Sequence, residues 1–352
     1  MELSIILDYI IISIIASMTV NNILRNIANK YSMLVDLPNR SRKFHKRATP
    51  LTGGLSILIA ILITGKIYVD FNDLNGYVPE FTYHLIFSSV FLVFFFLLDD
   101  IFTLKPSSRI IIQSILALYV ILSTNITITS LGDLFGFGEI NLGFFDIPFT
   151  IFCVVGLMNA FNMIDGINGL CAGCGMLSLL LIGFYSGLIY DSMLILIIGS
   201  MIGFLLFNLR IIGEKRGVFL GDHGSNLIGF YVAWSAIYIA QNQANDINPI
   251  TIIWFVAIPF LDCIGLIFSR IKQGKKWSTP GRDHIHHKLM NRFSSEMTLL
   301  IILVISLLIG LFSMYLDNNY PEYISLILFI LLSTIYYLFA YYKNKTVSGE
   351  NV

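Results

Sequence analysis

Five groups of polar residues interrupt an otherwise apolar sequence, and their types point to phosphate and cation chemistry. The densest reads Asn159-Ala-Phe-Asn162-Met-Ile-Asp165-Gly166-Ile-Asn168-Gly169-Leu170. At three-residue spacing, Asn159, Asn162 and Asp165 are expected on one helical face. Gly166 and Gly169 permit tight turns and close ligand approach. Amide and carboxylate oxygens are the hard ligands that Mg²⁺ selects, although a helix end capped by Asn and Asp has the same composition. A second group, Asp99-Asp100, closes the apolar run from Phe91 to Leu98 and is followed by Lys105 and Arg109. Adjacent carboxylates repel, so they call for a cation, a metal or a basic side chain unless the segment is a plain solvated loop.

The third group, Phe219-Leu-Gly221-Asp222-His223-Gly224-Ser225, precedes another apolar run. An Asp between glycines can reach a metal while the first N–H groups of a helix face a phosphate; Gly-Asp is equally a common turn. Arg282-Asp283-His284-Ile285-His286-His287-Lys288 forms the fourth. Three histidines in four residues hint at zinc, but no nearby Cys completes a tetrahedral set, and Arg282 and Lys288 beside them suit diphosphate recognition better. The fifth is the basic stretch Pro38 to Arg47, followed by Pro50-Leu-Thr-Gly53-Gly54. It reads as a cytoplasmic anchor or as an attractor of lipid and substrate phosphate.

The elements that must position these groups are membrane helices. Of 352 residues, 56% are hydrophobic and 12% charged, against about 25% charged in an ordinary soluble domain. Lys+Arg and Asp+Glu balance at 22 each, which gives no excess basic charge for nucleic acid. Four cysteines, Cys153, Cys171, Cys174 and Cys263, lie in or beside apolar runs; they make neither a disulfide framework nor, in Cys171-Ala-Gly-Cys174, a redox pair with strand-helix context. Met1-Glu2-Leu3-Ser4 lacks a basic start and a small-residue cleavage site does not follow, so the first segment is expected to stay as an anchor.

Eleven apolar runs fall near residues 3–24, 51–69, 83–98, 110–126, 144–161, 170–189, 192–208, 225–241, 250–268, 298–316 and 323–342. Backbone in lipid must bond to itself, so the expected fold is all-α, one polytopic membrane domain over 1–352 with about eleven transmembrane helices. An outward N-terminus puts 21 of the 22 Lys+Arg on inner segments, with Lys66 outside them, as the positive-inside rule requires. The C-terminus is then cytoplasmic, and the chemistry gathers on inner loops near 25–50, 99–109, 159–170, 209–225 and 269–297. Two acids inside predicted spans, Asp8 and Asp262, are functional suspects.

Taken in order from Pro38 to His287, the motifs resemble the polyprenyl-phosphate N-acetylhexosamine-1-phosphate transferases. The His-Ile-His-His form is similar to the bacterial undecaprenyl-phosphate GlcNAc-1-phosphate branch. The resemblance implies an enzyme of the bacterial cytoplasmic (inner) membrane, its active site facing the cytoplasm. Undecaprenyl phosphate would attack the sugar-proximal phosphate of UDP-GlcNAc, giving undecaprenyl-diphospho-GlcNAc and UMP for O-antigen, enterobacterial common antigen or a related envelope polymer. Mg²⁺, or Mn²⁺, is required in such enzymes, and Asn162 and Asp222 match the metal ligands. Asp99 and Asp100 match residues that place or deprotonate the lipid phosphate, with Asp165 a third catalytic candidate. Arg109 corresponds to a basic residue near the phosphates, Asn168 and Phe219 to those holding uracil, and Arg282, His284 and His286 to the loop that grips the diphosphate, with Asn159 and His287 further substrate-binding candidates. The lipid bilayer is the setting, and a homodimer is compatible with it.

Two other classes fit parts of the sequence. A secondary transporter has a similar number of spans, but its site lies at the midplane between related halves, whereas these motifs sit at one face and no repeat is visible. A lipid-sensing scaffold would explain the basic inner loops but not four separate acid, amide and glycine motifs.

Overall fold

The apolar runs become helices because lipid offers no partner to a bare N–H or C=O. The computed structural model describes residues 3–37, 48–72, 78–102, 104–187, 191–241, 247–276, 281 and 283–342. All eleven runs are helical: α1 Leu3–Tyr31, α2 Gly53–Phe71, α3 Glu80–Phe102, α4 Pro106–Thr124, α5 Asp146–Ile164, α6 Leu170–Tyr185, α7 Ser192–Asn208, α8 Asp222–Ala240, the pair α9 Pro249–Phe255 and α10 Ala257–Lys272, then, after the short α11 Ile285–Met290, α12 Ser295–Asn319 and α13 Glu322–Tyr337. Among the described residues, seven helices are long and apolar enough to cross a membrane, or eight if the bent α9–α10 pair is one span. The expected count of eleven spans is higher than the seven or eight that helix length and composition support, while the all-α membrane architecture is as expected. Among the described residues, the strand content is one antiparallel pair of two-residue strands, β1 Val35–Asp36 and β2 Thr49–Pro50.

The chain divides into two compact units, Met1–Ile126 with Gly183–Val232, and Thr127–Ile182 with Ala233–Val352. In the first unit, α7 packs on α1 through small residues. A Cβ on Gly199 would lie 2.6 Å from Ser13 Cβ, and one on Gly203 would lie 2.6 Å from Ser17 Cβ. The Ser17 hydroxyl donates to the Ser200 carbonyl at 2.7 Å. Small residues four apart are how helices approach closely in lipid, where no hydrophobic force drives them together. Gly203→Leu is accordingly expected to lower the Tm of the detergent-purified protein, at an overpacking cost of about 1–3 kcal/mol. An unchanged Tm would contradict this packing.

In the second unit, the helix break falls at Val256, between α9 and α10, with an 82° bend. Pro259 lies in the first turn of α10 and has no N–H to offer the Phe255 carbonyl. That carbonyl instead accepts the Ser178 hydroxyl at 2.8 Å. Below the bend, Trp254, Ala257, Leu261, Leu316 and Phe329 form a buried cluster that joins α9 and α10 to α12 and α13. Of the two suspected membrane acids, Asp8 is exposed on α1 and Asp262 is buried in α10.

Candidate active site

In the first unit, a short parallel ladder builds the Gly-Asp turn. Phe219 N–H donates to the Pro50 carbonyl at 2.8 Å, and the N–H groups of Gly53 and Gly54 donate to the carbonyls of Phe219 and Leu220 at 3.0 Å each. A Cβ on Gly54 would overlap the Gly224 backbone, so the start of α2 and the start of α8 touch main chain to main chain. Gly221 has φ +78°, a conformation that costs an L side chain about 1 kcal/mol or more. The turn delivers Asp222 as the first residue of α8, and Phe219, three residues before it, is half-buried.

Three carboxylates meet there. Asp99 and Asp100 lie in the last turn of α3, not in the loop the sequence led one to expect, and Arg109 is in the first turn of α4. Arg109 Nε lies 2.7 Å from Asp99 Oδ2 and its Nη1 lies 2.9 Å from Asp222 Oδ2. Asp99, only 2% exposed, also accepts the Leu104 N–H at 2.6 Å. Asp100 is spent on the turn itself: Oδ1 accepts the Asp222 N–H at 3.2 Å, and Oδ2 lies 2.6 Å from Nδ1 of the fully buried His223. One turn further along α4, Gln113 donates to Asn226 at 2.6 Å, and Asn226 donates to the Asp222 carbonyl at 2.8 Å. These bonds hold Arg109 against Asp222.

Asp222 is the most open of the three, its side chain about a third exposed at 36%. Burial of its inner side, together with the Asp100 carboxylate, pushes its carboxyl up to about 6. Asp99 and Asp222 share one guanidinium while Asp100 faces His223, which leaves negative charge at a helix start, a surplus that fits a divalent cation. The site therefore suits a metal on Asp222, while Asp99 and Asp100 are committed to protein partners.

In the second unit, Asn159 and Asn162 lie on the last turns of α5, and the Asn159 amide donates to the Val155 carbonyl at 2.8 Å. Asp165 does not continue their face. It is the C-cap, with ψ 65°, and it is exposed where the chain turns away. The Gly166 N–H closes that turn on the Ile164 carbonyl at 2.8 Å. Asn168 is half-buried ahead of Gly169, whose φ is +81°.

The histidine segment packs on this turn. A Cβ on Gly166 would overlap His286 Nε2, so only glycine lets the two motifs touch. His286 is 1% exposed, and neither of its ring nitrogens has a hydrogen-bond partner among the described residues. Burial, with His287 and His284 alongside, pushes the His286 imidazole down to about 3 and keeps it neutral. The His286 and His287 ring centroids are 4.2 Å apart. His284 sits at the start of α11 with Nδ1 2.7 Å from Asp262 Oδ2. Lys288 Nζ lies 4.2 Å over the Tyr341 ring, and its burial lowers the ammonium pKa.

Arg282 and the basic stretch Pro38 to Arg47 lie outside the described residues. The cysteines are free thiols, Cys171 and Cys174 both buried. Sequence reasoning gave no role to His223, Gln113, Asn226, Tyr336 or Tyr341. The available signal was a histidine inside Gly-Asp-His-Gly and polar residues one helical turn from the motifs.

Residues 82–240 match the family model of glycosyl transferase family 4. Over 322 residues the chain is 34% identical to the undecaprenyl-phosphate alpha-N-acetylglucosaminyl 1-phosphate transferase of Escherichia coli strain K12, an overlap of 89% of this chain and 84% of the relative. The protein of the same name from Yersinia pestis is 34% identical over 89% of this chain and 85% of its own. That from Haemophilus influenzae is 32% identical over 293 residues, 81% and 79% of the two chains.

Proposed function

We propose, from the premise that this chain belongs to glycosyl transferase family 4, that it transfers GlcNAc-1-phosphate from UDP-GlcNAc to undecaprenyl phosphate. The products are undecaprenyl-diphospho-GlcNAc and UMP, and the reaction begins an envelope polymer such as O-antigen or enterobacterial common antigen. The observation that carries this reading is identity to enzymes named for that transfer, maintained over more than four-fifths of this chain. The protein sits in the bacterial inner membrane with its N-terminus outward and its site at the cytoplasmic face. The concentration of Lys and Arg on the loops that bear the motifs supports this orientation.

A lipid phosphate oxygen attacks the sugar-proximal phosphorus, and the bond from that phosphorus to the UMP oxygen breaks, the electron pair leaving with UMP. A phosphate monoester has a second pKa near 6, so at pH 7 the nucleophile is largely ionised and needs little help from a base. The roles of Asp99 and Asp100 follow from their partners: Asp99 holds Arg109 in place, and Asp100 holds the turn that presents Asp222 and His223. Asp165, exposed at the turn after α5, has a lesser claim to proton transfer than to contact with substrate. Asp222 and Asn162 would hold Mg²⁺, or Mn²⁺. Bound there, the ion would neutralise charge on the diphosphate as phosphorus is attacked. Arg109, Asn159, Asn168, Phe219, Arg282, His284, His286 and His287 supply the remaining contacts to phosphates, uracil and sugar.

UDP-GlcNAc labelled with ³²P in the sugar-proximal phosphate tests the bond that breaks. Label in the lipid with unlabelled UMP released is expected. Label left in released UDP would mean that the sugar alone had moved, and would overturn the reading. Two further outcomes follow. Because a protonated carboxyl is no metal ligand, the Mg²⁺ concentration for half-maximal rate is expected to rise as pH falls through about 6; a flat profile between pH 5 and 8 would remove Asp222 from the metal. Gly54→Ala, which separates the starts of α2 and α8, is expected to cost at least about tenfold in kcat/KM, roughly 1.4 kcal/mol. Gly65→Ala on the same helix, whose Cβ would have its nearest neighbour at 3.9 Å, serves as the control and keeps full activity.

A further inference from the structure

The Asp262 carboxylate has four partners, yet no step above uses it. Oδ1 accepts the Ile285 N–H at 2.9 Å, the Tyr336 hydroxyl at 3.0 Å and the Tyr341 hydroxyl at 2.6 Å. Oδ2 faces His284 Nδ1 at 2.7 Å. Asp262 is 1% exposed and His284 8%, so the pair is sealed from water on the carboxylate side. The two tyrosines come from the end of α13 and the π-turn Leu338–Tyr342 that follows it. Three protein donors and the His284 ring thus converge on one carboxylate, and the bend at Val256 aims the helix that carries it.

We propose that Asp262 is a positioning residue for His284. It fixes the ring angle and keeps the proton on Nδ1, so that Nε2 is the nitrogen left to meet substrate, and Tyr336 and Tyr341 make the C-terminal helix part of the active site. A carboxylate on one ring nitrogen selects the tautomer and orients the other. It also supports positive charge on the ring when Nε2 takes a proton to bind an anionic oxygen. The effect on turnover rests on the transferase reading above; the tautomer does not. Oxygens of Asp262 and nitrogens of His284 and His286 lie within 4.8 Å of one another, the residue types of a metal site. A metal would have to displace the His284 bond from a carboxylate already holding three other donors, and the dyad needs no such displacement.

Nitrogen NMR of the full-length ¹⁵N-histidine-labelled protein in detergent tests this directly. His284 is expected as the Nδ1–H form in the wild type and as the Nε2–H form in Asp262→Asn, whose amide can donate to Nδ1. In UMP-release kinetics, Asp262→Asn and His284→Ala are each expected to lower kcat/KM at least about tenfold, and the double variant no further than the worse single one. If Asp262→Asn does not fold, Tyr341→Phe keeps three of the four partners and is expected to fold, with a several-fold loss that vanishes in a His284→Ala background. A wild-type His284 bearing its proton on Nε2, multiplicative losses in the double variant, or stoichiometric zinc bound through His284 would each overturn the proposal. A wild type inactive on UDP-GlcNAc would sink the transferase reading while the tautomer still decided the dyad.

Discussion

Asp222→Asn is expected to lower kcat/KM for GlcNAc-1-phosphate transfer by at least about 10³-fold, roughly 4 kcal/mol of transition-state stabilisation. The substitution is nearly isosteric, and the amide oxygen can still accept from Arg109 Nη1, so the turn and the start of α8 should persist with an unchanged Tm. What disappears is the negative charge on the most open of three clustered carboxylates. Asp99 and Asp100 cannot replace it, because each is already held by protein partners. Saturating Mg²⁺ should not restore the rate. Turnover at the wild-type level under that condition would place the metal elsewhere.

Arg109→Leu is expected to damage both catalysis and folding. Arg109 neutralises Asp99, whose side chain is 1% exposed, and Asp222 at the same time. Removing one partner of a buried ion pair costs about 3–5 kcal/mol, because the other charge is left without compensation. A fall in Tm together with a loss of at least about 100-fold in kcat/KM, near 2.7 kcal/mol, is therefore expected. Arg109→Lys should recover stability in part and activity little, since an ammonium is a point charge that does not span two carboxylates as a guanidinium does. Full activity in Arg109→Lys would show that bridging is not needed.

The helices were legible because their signal is local. Each apolar run reports its own need to satisfy backbone bonds in lipid, and each became helix, though α1 runs seven residues past its expected end at 24 and the run at 250–268 is broken in two. Asp99-Asp100, Gly221-Asp222 and the histidine segment were legible for a related reason: charged and amide groups are rare in such a chain. What spacing did not reveal is which group answers which. Asp100 and His223 are 123 positions apart, and Asp262 and Tyr341 are 79 apart, so no periodicity connects them. Periodicity also misled at Asp165, where a three-residue repeat ran past the end of α5 into its cap. A proline at 259 is a local cue to a helix break, but the partner of the freed Phe255 carbonyl, Ser178, is 77 positions away and has no local signal.

UMP release from the detergent-purified protein tests the proposed reaction most directly. Undecaprenyl phosphate and Mg²⁺ would be supplied with UDP-GlcNAc, UDP-GalNAc or UDP-MurNAc-pentapeptide, with and without EDTA. UMP formed from UDP-GlcNAc alone, dependent on the lipid phosphate and abolished by EDTA, is the expected result. No UMP from any of the three donors by folded protein would contradict the transferase reading.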